Sequence, residues 1–164
     1  LWCARDLVHR PFLLLESDLV YEPRALQCLL DEPAADAVLL SGPTHAGDEV
    51  YVEVHDGCLR DMSKQPAALG KSLAGELVGI SKISVELFRL MCAIAGRAFA
   101  TTLRVDYETD CLVAAGRERA IACPVVADLV WGEIDDPSHL ARVRGTVYPE
   151  ILRRSITSVA VPVQ

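Results

Sequence analysis

Two acidic clusters hold the residue types that hard-cation chemistry needs. Glu16-Ser17-Asp18 follows the apolar run Phe12-Leu13-Leu14-Leu15, and Glu133-Ile134-Asp135-Asp136 follows Leu129-Val130-Trp131-Gly132. In open α/β sheets, ligands gather outside the carboxyl ends of strands. An apolar strand that delivers Asp18 there offers a metal ligand; a solvated strand end is the plain alternative. Glu133 and Asp135 stand at i and i+2 of an extended segment, so their carboxylates leave by one face. Two such carboxylates repel unless a cation separates them. Mg²⁺ suits the gap, because it takes hard oxygen ligands, few of them from protein. The competing role is capping, since Pro137 opens a helix, and that role goes to Asp136.

The surrounding pattern must position these acids. Phe12–Leu15 and Ala37–Leu40 read as buried strands. Between them, Glu22-Pro23 opens a helix that runs to about Leu30. Ser41-Gly42-Pro43 closes the second strand. Residues 50–54 and 58–62 form a hairpin about His55-Asp56-Gly57, and Ala67–Ala74 reads as a loop. Leu77–Ile83 is a strand, and Ser84 caps a helix from Val85 to about Ala95 that Gly96 ends. Asp106–Gly116 is helical. Ile121–Val126 and Leu129–Ile134 are strands. An amphipathic helix follows from Pro137 towards Val147, with Ala141 and Val143 among its inner residues. Phe12–Leu15, Ala37–Leu40, Leu77–Ile83 and Leu129–Ile134 are expected as neighbours in one sheet. Residues 151–164 form a tail of weak β character behind a domain of residues 1–150.

The chain has 164 residues, 51% hydrophobic, room for one domain with a sizeable core. Lys and Arg number 16 against 23 Asp and Glu, a net charge of −7. Such a chain has no electrostatic reason to hold a nucleic-acid backbone, although a metal ion can still bridge it to a polyphosphate. No apolar run reaches the ~20 residues that span a bilayer. The six cysteines show no C-x-x-C spacing and read as small core residues of a reduced, cytoplasmic protein.

Five motifs in order resemble the nucleotidyltransferases of the phosphocholine and 2-aminoethylphosphonate cytidylyltransferase type. They are Phe12-Leu-Leu-Leu-Glu-Ser-Asp18, Asp61-Met-Ser-Lys64, Gly75-Glu-Leu-Val-Gly-Ile80, Tyr107-Glu-Thr-Asp110 and Trp131-Gly-Glu-Ile-Asp-Asp136. The resemblance spans about Leu1 to Pro149. It implies an α/β nucleotidyltransferase fold, a Rossmann-like, mostly parallel sheet sandwiched by helices; the hairpin and the late strands make that sheet mixed. It implies transfer of CMP from CTP to a small phosphate or phosphonate, with Mg²⁺ on Asp18, Glu133 and Asp135. It places Lys64 near the reacting phosphoryl group as the catalytic cation. Glu76 falls on the acceptor side, and Tyr107, Glu108, Asp110 and Trp131 would enclose a cationic head group. CTP and the acceptor are the expected partners, without nucleic acid or membrane, and a homo-oligomer is compatible.

The family opens with a strand, a G-x-G-x-R type loop and a Lys that cradle the triphosphate. That pattern is not found here, so the fold is expected to be incomplete at its N-terminus and CTP binding by these residues alone weak. The runner-up function keeps the fold and takes a sugar 1-phosphate as acceptor. The alternative of another class is an inactive fragment or a non-catalytic nucleotide-binding module.

Overall fold

One long strand organises the molecule. The computed structural model describes residues 1–159. The elements in chain order are β1 (Phe12–Leu15), β2 (Leu19–Tyr21), α1 (Arg24–Asp31), β3 (Ala37–Ser41), β4 (Tyr51–His55), β5 (Cys58–Ser63) and β6 (Leu73–Ile83). Then come α2 (Val85–Ala98), α3 (Val113–Gly116), β7 (Val125–Val126), β8 (Trp131–Glu133), α4 (Pro137–Arg142) and α5 (Tyr148–Val159). Two π-helical segments, Tyr107–Leu112 and Val143–Val147, lead into α3 and α5.

The main sheet runs β5-β4-β6-β3-β7. β3 covers one edge of β6, with Ala37 opposite Lys82 and Ser41 opposite Glu76. The other edge is shared: β4 pairs with its start, Tyr51 opposite Glu76, and β1 with its end, Leu15 opposite Ile80. Between the two partners lies a short stretch, Leu77 to Gly79, where the strand edge is bridged only at its ends. Leu77 N–H donates to the Val50 carbonyl at 2.9 Å, and Glu16 N–H donates to the Gly79 carbonyl at 3.1 Å. Gly79 has φ +76°, a conformation that side chains resist. A Cβ there would also collide with the Glu16 carboxylate.

Period-two alternation sorts the core. Val38 and Leu40 of β3, with Leu77 and Ile83 of β6, face α2 and α3 in one cluster that includes Phe88 and Met91. Ala37 and Leu39, with Val78 and Ile80, face α1 through Ala25 and Leu29. Helices therefore cover both faces. Each fully buried Leu or Phe contributes about 1.5–3 kcal/mol of transfer free energy.

The mixed α/β sandwich agrees with the sequence reading, and several details differ. The expected mostly parallel sheet is mostly antiparallel; among the described strand pairs only β3–β7 is parallel. Leu129–Ile134 was expected beside β1, β3 and β6. Instead β8 pairs with β2 in a separate ribbon, Leu19 opposite Glu133 and Tyr21 opposite Trp131. Of Ile121–Val126, only Val125–Val126 forms a strand, because Pro124 cannot donate to a ladder. α2 runs past Gly96 to Ala98. The tail from Ile151 is not β: α5 crosses residue 150 and continues to Val159, while residues 160–164 lie outside the described ones. The caps are where the sequence put them. Ser84 Oγ accepts from Leu87 N–H at 3.1 Å, and Asp136 Oδ1 accepts from Ser138 and His139 N–H at 2.7 and 2.9 Å.

Candidate active site

A cavity of about 410 Å³ opens at the break on β6, with Leu77, Val78 and Gly79 as its floor. Glu16 enters from the end of β1, and Asp48 and Glu49 from the loop before β4. Asp106 caps the π-helical segment and Glu108 lies within it, and Glu133 and Asp135 come from β8 and its end. Lys64 and Arg142 supply the cationic lining.

The small ribbon, not a shared sheet edge, brings the first acidic cluster to the second. Ile134 N–H donates to the Asp18 carbonyl at 3.0 Å, which continues the β2–β8 pairing by one rung. Carboxylate oxygens of Glu16, Asp18 and Glu133 then lie within 4.8 Å of one another. Asp18 Oδ1 is buried and has no hydrogen-bond partner among the described residues. Burial, followed by the negative charges of Asp135, Glu16 and Asp18, pushes Glu133 up to about 7. Burial also raises Glu16, against a hydrogen bond from Tyr107 that lowers it.

Tyr107 stands behind this cluster, its hydroxyl 2.9 Å from Glu16 Oε1 and 2.8 Å from Glu108 Oε1. One phenolic proton cannot serve two carboxylates. Burial, then the charge of Glu16, raises Glu108 to about 8, so near neutrality it is largely protonated. A consistent chain results: Glu108 donates to the Tyr107 oxygen, and Tyr107 donates to Glu16.

The other expected residues divide. Trp131 lines the cavity, its Nε1–H donating to Ser41 Oγ at 2.8 Å. Lys64 lines it from the end of β5. Asp135 belongs to a second group with Asp48 and His139, whose ligating atoms also lie within 4.8 Å of one another, rather than to the Asp18 group. Two expected contacts do not form. Glu76 is buried beneath the Gly42–Glu49 loop, where it accepts Thr44 N–H at 2.9 and 3.1 Å, and it does not line the cavity. Asp110 turns back to accept Asp106 N–H at 2.8 Å, fixing the local turn instead of facing the cavity. Tyr107 and Asp18 do not line this cavity either; both line an adjoining one of about 340 Å³, and Glu16 lines the two and connects them.

The sequence showed Glu16 within the first acidic cluster without a role of its own, and it gave no role to Asp48, Asp106 or Arg142. Glu16 had a signal, standing two residues before Asp18. Asp48 and Arg142 had none, since only the fold carries them to the cavity.

No family profile matches the chain. Over 148 aligned residues it is 32% identical to the CMP-5'-(3-aminopropyl)phosphonate synthase of Streptomyces rubellomurinus, a match covering 82% of this chain and 22% of that protein. The chain thus spans about a fifth of the relative's length. Among solved structures, the inositol-1-phosphate CTP transferase from T. maritima superposes with a TM-score of 0.64 at 14% identity, covering 93% of this chain and 59% of that one. The CMP:2-keto-3-deoxy-manno-octonic acid synthetase complexed with CTP gives a TM-score of 0.58 at 19% identity, covering 90% and 66%. The fold is that of the nucleotidyltransferases.

Proposed function

We propose that the chain is part of a cytidylyltransferase-type nucleotidyltransferase and that its acidic cavity joins CTP to a small acceptor bearing a phosphate or phosphonate. The observation that carries this reading is the meeting of Glu16, Asp18 and Glu133, with Asp18 Oδ1 buried and unpartnered. Crowded carboxylates with an orphaned oxygen form a donor set that fits Mg²⁺. Bound there, Mg²⁺ would neutralise charge on phosphoryl oxygens.

An acceptor oxygen attacks the α-phosphorus of CTP. A P–O–P bond forms, the α–β phosphoanhydride bond breaks, and pyrophosphate leaves. The acceptor oxygen is already ionised near neutral pH, so the protein needs no strong base and works by positioning and charge. Lys64 balances negative charge on the transferring group. Asp106 and Glu108 offer carboxyl oxygens to an ammonium group on the acceptor, and Trp131 offers it an aromatic surface. This acidic wall favours an amino-bearing acceptor over a sugar phosphate. Pyrophosphate release from CTP and 3-aminopropylphosphonate, with Mg²⁺ and the full-length protein, tests the reading. Release that depends on both substrates supports it; a folded protein that releases none refutes it.

A further inference from the structure

We propose that Arg142 is the residue that grips the phosphorus oxyanion in this cavity, an inference that rests on the cytidylyltransferase reading above. Arg142 closes α4 and lines the cavity. Its Nε is buried and without a hydrogen-bond partner among the described residues. Although carboxylates surround the cavity, none of them comes within ion-pair distance of its guanidinium. The contrast with Arg119 is direct: its Nε donates to Asp36 Oδ2 at 2.6 Å. A buried guanidinium nitrogen with no acceptor carries a desolvation cost that an incoming oxygen would remove.

The position of Arg142 is built rather than incidental. Asp136 caps the start of α4, and the buried Val143 and Val147 fix how the following turn sits on β8. Gly132 of β8 lies beneath them. A Cβ on Gly132 would stand 3.2 Å from Val143 Cγ2, 3.4 Å from Val147 Cγ2 and 3.7 Å from Arg142 Nη1. The glycine thus lets Val143 pack closely on the strand that bears Glu133, and Arg142, the residue before it, lies within ordinary contact distance of the same strand. An oxyanion held by Arg142 would lie beside the carboxylate cluster. Its planar fork can give two parallel hydrogen bonds to a tetrahedral phosphorus group, which the single ammonium of Lys cannot. In a cavity so rich in carboxylates, this fork distinguishes a phosphate or phosphonate from the uncharged surface of the same molecule.

The shared chemistry is a phosphorus oxyanion, and it has two sources, the acceptor and the α-phosphoryl end of CTP. Calorimetric titration of the full-length protein in Mg²⁺, once with 3-aminopropylphosphonate and once with CTP, separates them. Arg142→Gln is expected to weaken one of the two by at least about tenfold, and Arg142→Lys to recover only part of the loss. Loss confined to the phosphonate places the acceptor at Arg142; loss confined to CTP places the nucleotide there. The thermal midpoint of Arg142→Gln should match or exceed that of the native protein, since no internal bond is removed. A marked drop would make the residue structural and overturn the proposal. Native binding of both ligands that Arg142→Gln leaves unchanged overturns it too, with the cytidylyltransferase reading intact. A native protein that binds neither ligand overturns both.

Discussion

Carboxylates gather in two places in this molecule, and the two are built in opposite ways. At the junction of β2, α1 and α5, every acid has an arginine. Glu22, 5% exposed, receives Arg24 at 2.9 Å and Arg154 at 3.3 Å, and also Val130 N–H at 3.0 Å. Asp128 takes Arg24 at 2.9 Å, and that hydrogen bond lowers it. Hydrogen bonds from Arg153, then Arg154, hold Glu150 down at about 2. In the cavity the same residue types crowd one another, and Glu133 and Glu108 are driven up to about 7 and about 8. The first arrangement is finished by the protein itself. The second carries a charge imbalance that a cationic ligand would complete, and that difference, more than the number of acids, marks a site.

The two clusters should differ most in turnover. In the full-length protein, Asp18→Asn should cut CMP transfer by about a hundredfold or more with its circular dichroism unchanged. Glu150→Gln, in the paired cluster, should leave transfer within experimental scatter. Stability should reverse the order. Glu22→Ala leaves the Val130 amide without its carboxylate acceptor and removes one of the acids that hold Arg24 and Arg154, which keep Asp128, and should cost about 1–3 kcal/mol in a denaturant titration. Glu133→Gln removes a crowded charge, and near pH 8 it should unfold at the same or a higher temperature than the native chain.

The pH dependence follows the same asymmetry. Glu133 and Glu108 bind protons in the folded chain at about 7 and about 8, against 4.5 ordinarily. Between those limits the folded state holds more protons than the unfolded state, so stability falls as pH rises through the window. Without divalent cations the melting temperature should be lower near pH 8.5 than near pH 5.5, and Mg²⁺ should recover much of the difference. A midpoint that rises over this interval would contradict the crowding of the cavity acids. The smallest change is steric. Gly79→Ala forces a side chain into φ +76° and against Glu16. It should lower Mg²⁺ affinity and stability together, where Gly57→Ala, at φ +74° on an open hairpin, should lower stability alone.

Much of the frame was legible because its signals are local. An unbroken apolar run marked β3, alternation marked β6, Asp56-Gly57 marked the hairpin, and Ser84 and Asp136 announced their helices by side-chain caps. Asp18 and Glu133 could be paired because both end apolar runs, and the acidic motifs in order resembled one family. What local pattern cannot express is partnership at a distance. The β2–β8 ribbon joins residues more than a hundred positions apart, and three residues of Leu19–Tyr21 carry too little alternation to declare a strand. Glu76 and Asp110 looked available in sequence, yet each is taken by a backbone amide, of Thr44 and Asp106 respectively. Arg142 looked like one more charge on an amphipathic helix until the fold left its Nε without a partner.

The central claim is that Glu16, Asp18 and Glu133 form a cation site that the protein alone leaves incomplete. Calorimetric titration of Mg²⁺ at pH 7, run in two buffers of different ionisation enthalpy, tests it directly. Saturable binding with net proton release is expected, because Glu133 is partly protonated there, and Asp18→Asn should lose both. Absent binding, or binding that Asp18→Asn leaves intact, would contradict it.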